Sequence, residues 1–165
     1  MGSSGSVIPK FIEQIKKNQP IYITDERMTR FTITMEEALE FILNVTEISK
    51  GSEIFVPKLK AYSILDVKDA LFELLGETEE QIVGIRPGEK LDEVLINKDE
   101  MKYTWEYQNM YMVINPSVQQ HMPSLLDEFS EKKKIENMDV YSSDLVEKIP
   151  KDNLKKIFMD SKLLD

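Results

Sequence analysis

Cysteine is absent from the 165-residue chain, which excludes disulfides and thiolate metal sites and makes a reducing, cytoplasmic setting the expectation. Histidine occurs once, as His121, in a polar segment with neither helical nor strand rhythm. Neither a zinc site nor a Ser-His-acid triad can be built on it, and a solvated loop residue is expected there. No apolar run approaches the roughly 18 residues of a membrane span, and the opening MGSSGSV lacks the basic-then-apolar order of a signal peptide. Positive charge is also short: 21 Lys and Arg against 30 Asp and Glu give a net charge of -9. That balance repels phosphate backbones, so nucleic acid is not an expected partner.

Glycine is sparse, and its arrangements fail as cofactor motifs. Gly2 and Gly5 have the spacing of a dinucleotide fingerprint, but Ile8 takes the third position and no strand precedes it. Gly84 and Gly88 lie near Lys90 with neither the spacing nor the order of a phosphate-cradling loop. No tyrosine has a lysine four residues on, so the Tyr and Lys pair of short-chain dehydrogenases is missing. The carboxylates are spread so widely that no pair stands out as an acid and base couple.

What is present is an alternation of helix and strand signals in a length that suits one domain. Val7, Ile8, Phe11, Ile12 and Ile15 share a helical face behind Ser6, with Pro9 tolerated in the first turn. PIYITDERMTRFTI reads as extended chain around a polar loop. Thr34 and Glu37 form a capping box for a helix through Ala38, Phe41, Ile42 and Val45. EIFV, closed by Pro57, is a strand; Ser63 and Asp66 open a third helix that Gly76 stops. QIVGI is another strand, and Pro87 can begin a helix whose Leu91, Val94 and Leu95 face a core. Met101, Tyr103, Trp105 and Tyr107 alternate with polar residues, and Gln108-Asn109 leads into MYMVI, a hairpin. From Ser117 the pattern loosens through the charge run EKKK, until DNLKKIF gives a closing helix. The expected fold is α/β, a small mixed sheet with flanking helices.

Two segments carry candidate chemistry, TDERMTR and GIRPGEKL. Each puts arginine at the end of an extended run, where a guanidinium can meet phosphate oxygens in pairs. Against this stands the plainer alternative that Arg27, Arg30 and Arg86 pair with Glu26, Glu89 or the acidic helices.

Taken together and in order, GSVIPKFIEQI, ITDERMTRFTITMEEALEFIL, GSEIFVPK and GIRPGEKLDEVLI resemble the C-terminal portion of bacterial UDP-N-acetylglucosamine 4,6-dehydratases. That family belongs to the extended short-chain dehydrogenase/reductase superfamily and serves surface-polysaccharide pathways. The resemblance runs from about Gly2 to Pro116 and is weaker from Asp139 to Leu164. It implies a substrate-binding part without the family's nucleotide-binding Rossmann half, so NADP, the cofactor of the whole family, has no place on this chain and no catalytic residue is expected. It implies three stretches: 1–6, either an expression scar or a family remnant; 7–116, a UDP-sugar-binding α/β domain; and 117–165, a polar linker with a helical tail.

By the same resemblance, Arg27 and Met28 lie against the uridine end, with Thr24 and Asp25 shaping the turn. Arg86 reaches the diphosphate and Glu89 the ribose hydroxyls. Ser6 and Val7 open a helix whose free N–H groups and positive end face the phosphates. Arg30 ranks below Arg27, because it can instead pin the loop through an acid. Two positions depart from the pattern: Ser4 stands where relatives often carry arginine, and Asp92 where they often carry histidine. The expected function is the UDP-sugar-binding half of a nucleotide-sugar 4,6-dehydratase or epimerase, partnered by UDP or a UDP-sugar and by a separate nucleotide-binding half or a second copy. The alternative is a non-catalytic binding or assembly module that kept the fold and lost the ligand.

Overall fold

A computed structural model describes residues 6–161, 163 and 164. In chain order its elements are α1 (Val7–Lys16), β1 (Ile21–Ile23), β2 (Thr29–Thr32), α2 (Met35–Ile48), β3 (Glu53–Pro57), β4 (Lys60–Ser63), α3 (Ile64–Leu75), β5 (Glu80–Ile82) and β6 (Val94–Ile96). There follow α4 (Lys98–Met101), β7 (Thr104–Tyr107), β8 (Met110–Ile114), α5 (Pro116–His121), a 3-10 turn (Pro123–Glu128), β9 (Lys133–Lys134), β10 (Tyr141–Ser142) and α6 (Lys151–Asp160). The chain divides into two compact units: Met1–Thr32 with Lys60–Glu93 and Ser143–Asp165, and Ile33–Leu59 with Val94–Ser142. The expectations placed on Gly2, Ser4 and Gly5 lie outside the described residues.

In the first unit, α1 repeats apolar residues at positions 8, 11, 12 and 15, and all four are buried, as a 3.6-residue period on one face requires. They join a core with Ile64, Val67, Ala70 and Leu71 of α3 and Leu154 and Phe158 of α6. The Ser63 hydroxyl caps α3 by accepting the Asp66 N–H at 3.2 Å. Gly76 ends it at φ 102°, a backbone state that a side chain would strain. β1 runs parallel to β5, and β2 pairs antiparallel with β4 from Thr29 opposite Ser63 to Thr32 opposite Lys60.

In the second unit, β3, β8, β7 and β9 form an antiparallel sheet in that order. The β7–β8 hairpin turns at Gln108-Asn109 as expected, with Gln108 at φ 50°. All five residues of β8 are buried, and Met112 and Ile114 pack with Leu125 and Phe129 beneath it. The box at the start of α2 is formed, Glu37 N–H to the Thr34 hydroxyl at 3.1 Å and Thr34 N–H to the Glu37 carboxylate at 2.8 Å. Yet α2 buries no residue fully, and Met35, Leu39, Ile42 and Leu43 are 75, 53, 55 and 66% exposed.

The mixed α/β class holds, with corrections. The parallel pair and the hairpin belong to separate small sheets, one in each unit, and not to one mixed sheet. No helix starts at Pro87. Arg86, Pro87, Gly88 and Glu89 close a turn, Glu89 N–H to the Arg86 carbonyl at 3.0 Å with Gly88 at φ 87°. Pro followed by a positive-φ glycine is the requirement of a type II turn and is incompatible with a continuing helix. The chain then runs as strand β6, so Ile96 is buried while Val94 and Leu95 are exposed; Leu91 does pack against the first core. Met101 closes the short helix α4 and does not start a strand. β6 pairs with β10, a two-residue strand with too little sequence rhythm to be read.

Electrostatics tie α3 to α6. Glu73 accepts from Lys151 and from Lys155, each at 2.6 Å, and these two hydrogen bonds pull its carboxyl from 4.5 to about 2. A carboxyl depressed on folding stabilises the fold above its unfolded value, and that contribution is lost as pH falls through the folded one. Glu73→Gln should therefore be less stable than wild type at pH 6 by a difference that shrinks as pH falls from 4.5 to about 2, as read by urea denaturation at each pH.

Candidate functional site

Both arginine motifs belong to the first unit. In the loop between β1 and β2, the Asp25 carboxylate accepts the Arg27 N–H at 2.9 Å and takes the Arg27 guanidinium in a fork, Nε at 3.0 Å and Nη2 at 2.8 Å. The side-chain fork first, and the backbone bond second, hold the Asp25 carboxyl down at about 2. Asp25 therefore helps build the loop through its bonds to Arg27. The Arg27 side chain remains 73% exposed, so its pairing is a solvent-screened one that another acceptor can compete with. Met28 is buried in the core beside Ile21 and Ile64, and its carbonyl accepts the Ile64 N–H at 3.0 Å. Thr24 is half-buried.

Arg30 turns toward the second motif. Its Nη1 donates to the carbonyls of Thr29 at 2.6 Å and Leu91 at 2.8 Å, and its Nη2 donates to the Lys90 carbonyl at 2.9 Å. Nε lies 3.8 Å from the Glu93 carboxylate. The Thr29 N–H adds a main-chain bond to the Leu91 carbonyl at 3.2 Å. Residues 90–93 are thus strapped along β2, and the Arg86–Glu89 turn projects from this strap. Within the turn the Arg86 N–H donates to the Glu89 carboxylate at 3.1 Å. Arg86 and Glu89 are exposed, and no ion pair among the described residues uses the Arg86 guanidinium.

Ser6 is the N-cap of α1 in extended backbone, but its hydroxyl caps nothing and is buried without a partner. The first-turn N–H groups that begin at Val7 therefore carry no side-chain cap from Ser6. The structure thus brings the surroundings of Arg27, Arg30 and the Arg86 turn together through the bonds of Arg30, and it draws Met28 inward.

Sequence reasoning missed a polar cluster behind β2. Thr29 and Ser143 are buried, their hydroxyls 2.6 Å apart, and Thr29 also donates to Asp92 at 2.7 Å. Tyr62 lies alongside, its hydroxyl pushed up to about 12 by burial and then by the charge of Glu93. The carboxylate of Asp92, close after the second motif, was the only available signal; a serine more than a hundred residues downstream of Thr29 gave none. Among the described residues no group of His, Cys, Asp and Glu is arranged to hold a metal ion, and no helix is long and apolar enough to cross a membrane. His121 is exposed at the end of α5, its Nδ1 2.6 Å from the Ser117 carbonyl.

Residues 1–115 match the family described as polysaccharide biosynthesis protein. The chain is 42% identical over 119 residues to a UDP-N-acetylglucosamine 4,6-dehydratase (inverting) of Campylobacter jejuni, covering 72% of this chain and 34% of that one. It is 37% identical over 143 residues to the capsular polysaccharide biosynthesis protein CapD of Staphylococcus aureus, covering 81% of this chain and 24% of the relative. The X-ray structure of Pen from Bacillus thuringiensis superposes with a TM-score of 0.82 at 31% identity, over 100% of this chain and 47% of that one. The chain thus spans between a quarter and a half of the length of these proteins. With most of its residues inside the family match and both arginine motifs within it, the chain belongs to the polysaccharide biosynthesis protein family, alongside the UDP-N-acetylglucosamine 4,6-dehydratases.

Proposed function

We propose that this chain is the UDP-sugar-binding part of a nucleotide-sugar 4,6-dehydratase or epimerase of the extended short-chain dehydrogenase/reductase type, acting in surface-polysaccharide synthesis. The observation that carries the reading is the Arg86 turn: an exposed guanidinium, unpaired among the described residues, stands on a tight turn that Arg30 straps beside the Arg27 loop. Arg86 serves the diphosphate, where its planar fork matches paired oxygens. Glu89 accepts from ribose hydroxyls by exchanging the Arg86 N–H for them, and Arg27 closes over the uridine end by releasing Asp25. Met28 acts from the core by fixing the loop, with Thr24 and Asp25 giving it its shape. Ser6 and Val7 present uncapped N–H groups to phosphate. Arg30 makes its contribution mainly through the strap.

Among the described residues nothing fits the pyrophosphate of NADP. The described glycines with positive φ, at 51, 76, 84 and 88, all lie in loops that lead into strands, and none stands between a strand and a helix start as pyrophosphate binding needs. No chemical step is assigned to this chain alone.

A second reading, assembly, is favoured by the exposed stripe Met35, Leu39, Ile42 and Leu43 on α2 and by Ile54 on β3, an edge strand of its sheet. The occupant we assign is a nucleotide-binding half, since about two-thirds of the length of the dehydratase relative lies beyond the match. An unpaired edge and an apolar stripe both invite such a cover.

UDP is expected to bind with a Kd of about 0.1 to 1 mM, because a few charge-assisted hydrogen bonds must offset the cost of association. In NMR titrations Arg86→Ala should abolish the localised shifts and Arg27→Ala should weaken binding several-fold, both leaving the dispersed spectrum intact. A wild-type spectrum unmoved by millimolar UDP sinks the ligand reading. For assembly, Leu43→Glu should leave the melting temperature nearly unchanged and remove capture of a co-expressed nucleotide-binding half from a dehydratase relative, followed by light scattering. If wild type captures nothing, or forms only self-associated species, the assigned occupant is wrong.

A further inference from the structure

Behind the two motifs, four groups form one directed chain of hydrogen bonds. The Glu93 N–H donates to the Ser143 hydroxyl at 2.9 Å. Ser143 Oγ and Thr29 Oγ1 are 2.6 Å apart, and Thr29 donates to Asp92 Oδ1 at 2.7 Å. A main-chain N–H can only donate and a hydroxyl has one proton. With the Thr29 proton committed to Asp92, the proton between the hydroxyls must be that of Ser143. The order is then fixed: Glu93 N–H to Ser143 to Thr29 to Asp92.

Ser143 grips Glu93 a second time, its own N–H donating to the Glu93 carbonyl at 2.9 Å. The Glu93 carboxylate in turn accepts the Phe31 N–H at 2.8 Å. Residues 92 and 93 are therefore stitched to β2 at positions 29 and 31, and the knot is tied by a side chain from a third stretch of chain. Ser143 is fully buried and Thr29 nearly so. Buried hydroxyls that complete one another resist displacement, because losing one leaves its neighbour without a partner. Thr29 stands two residues after Arg27, and Asp92 six after Arg86. Ser143 itself lies outside the residues that match the family.

We infer that Ser143 is a positioning residue, which through Thr29 and Asp92 sets the spacing between the Arg27 loop and the Arg86 turn. The inference rests on the reading of those arginines as nucleotide contacts. A hydroxyl that served packing alone would change stability when removed. A positioning hydroxyl changes ligand affinity as well, and does so jointly with Thr29.

The test is a double-mutant cycle on the whole chain with UDP as the probe, followed by NMR. Ser143→Ala should weaken UDP binding about three- to tenfold, one hydrogen bond's worth, and speed exchange of the Glu93 amide, while core signals from Ile8, Val67 and Leu71 stay in place. Thr29→Val should do the same, and the double variant should bind no worse than the weaker single, since coupled groups are not additive. Thr29→Ser, which keeps the hydroxyl, should bind as wild type does. Ser143→Ala or Thr29→Val within about twofold of wild type, Thr29→Ser as weak as Thr29→Val, or penalties that add, overturn the inference. Should wild type show no response to UDP, the nucleotide reading falls by that result. The spacing claim is then decided without ligand: a Glu93 amide and an 86–91 turn as ordered in Ser143→Ala as in wild type overturn it, and faster exchange with a loosened turn upholds it.

Discussion

One guanidinium sets where the others can be. Arg30 donates to the carbonyls of Thr29, Lys90 and Leu91, and carbonyls from two remote stretches of chain are met by a planar group whose donors are fixed relative to one another. A lysine offers three donors around one point and cannot span the same oxygens. Because the acceptors are main-chain atoms, the strap holds the course of the backbone and is indifferent to which side chains residues 90 and 91 carry. The Arg86 turn inherits its position from this strap, and the Arg27 loop inherits its own from the buried Met28 a residue away. The two exposed arginines thus project from a backbone frame that is internally bonded, so whatever meets them does not have to order that backbone.

Much of the framework was legible from local signals. The apolar period of α1, the box of Thr34 and Glu37, the Ser63 cap and the glycine stop of α3 each act within a few residues, so sequence alone exposes them. The hairpin turn at Gln108-Asn109 is of the same kind. What misled was Pro87, which suits a helix start and a type II turn equally; Gly88 decides for the turn, and the bonds of residues 90–93 to β2 consume the segment a helix would have used. In the candidate site, the arginine types and their places could be read, whereas the partners of Arg30 could not. Main-chain carbonyls have no sequence signature, and the pairing of Ser143 with Thr29 spans more than a hundred residues.

The two units obtain helices in different ways. α1, α3 and α6 are held by what they bury together, and the salt bridges of Glu73 add to an interface that already exists. α2 has no fully buried residue and leans on its capping box and its length of 14 residues. An isolated helix of that length is marginal in water. Its apolar stripe is therefore an exposed hydrophobic surface of the second unit with much to gain from cover.

That stripe has a consequence in another currency, oxidation. With no cysteine in the chain, thioethers are its only sulfur, and burial sorts them. Met28, Met101, Met110 and Met112 are shielded, whereas Met35, Met122 and Met159 are more than half exposed. Oxidants reach the exposed thioethers first, and a sulfoxide converts an apolar side chain into a polar one. At Met122 and Met159 that change faces water and alters little. At Met35 it writes a polar group into the apolar stripe of α2, so the chemical state of a single sulfur sets how apolar that stripe is, while the sheltered methionines keep both cores as they are.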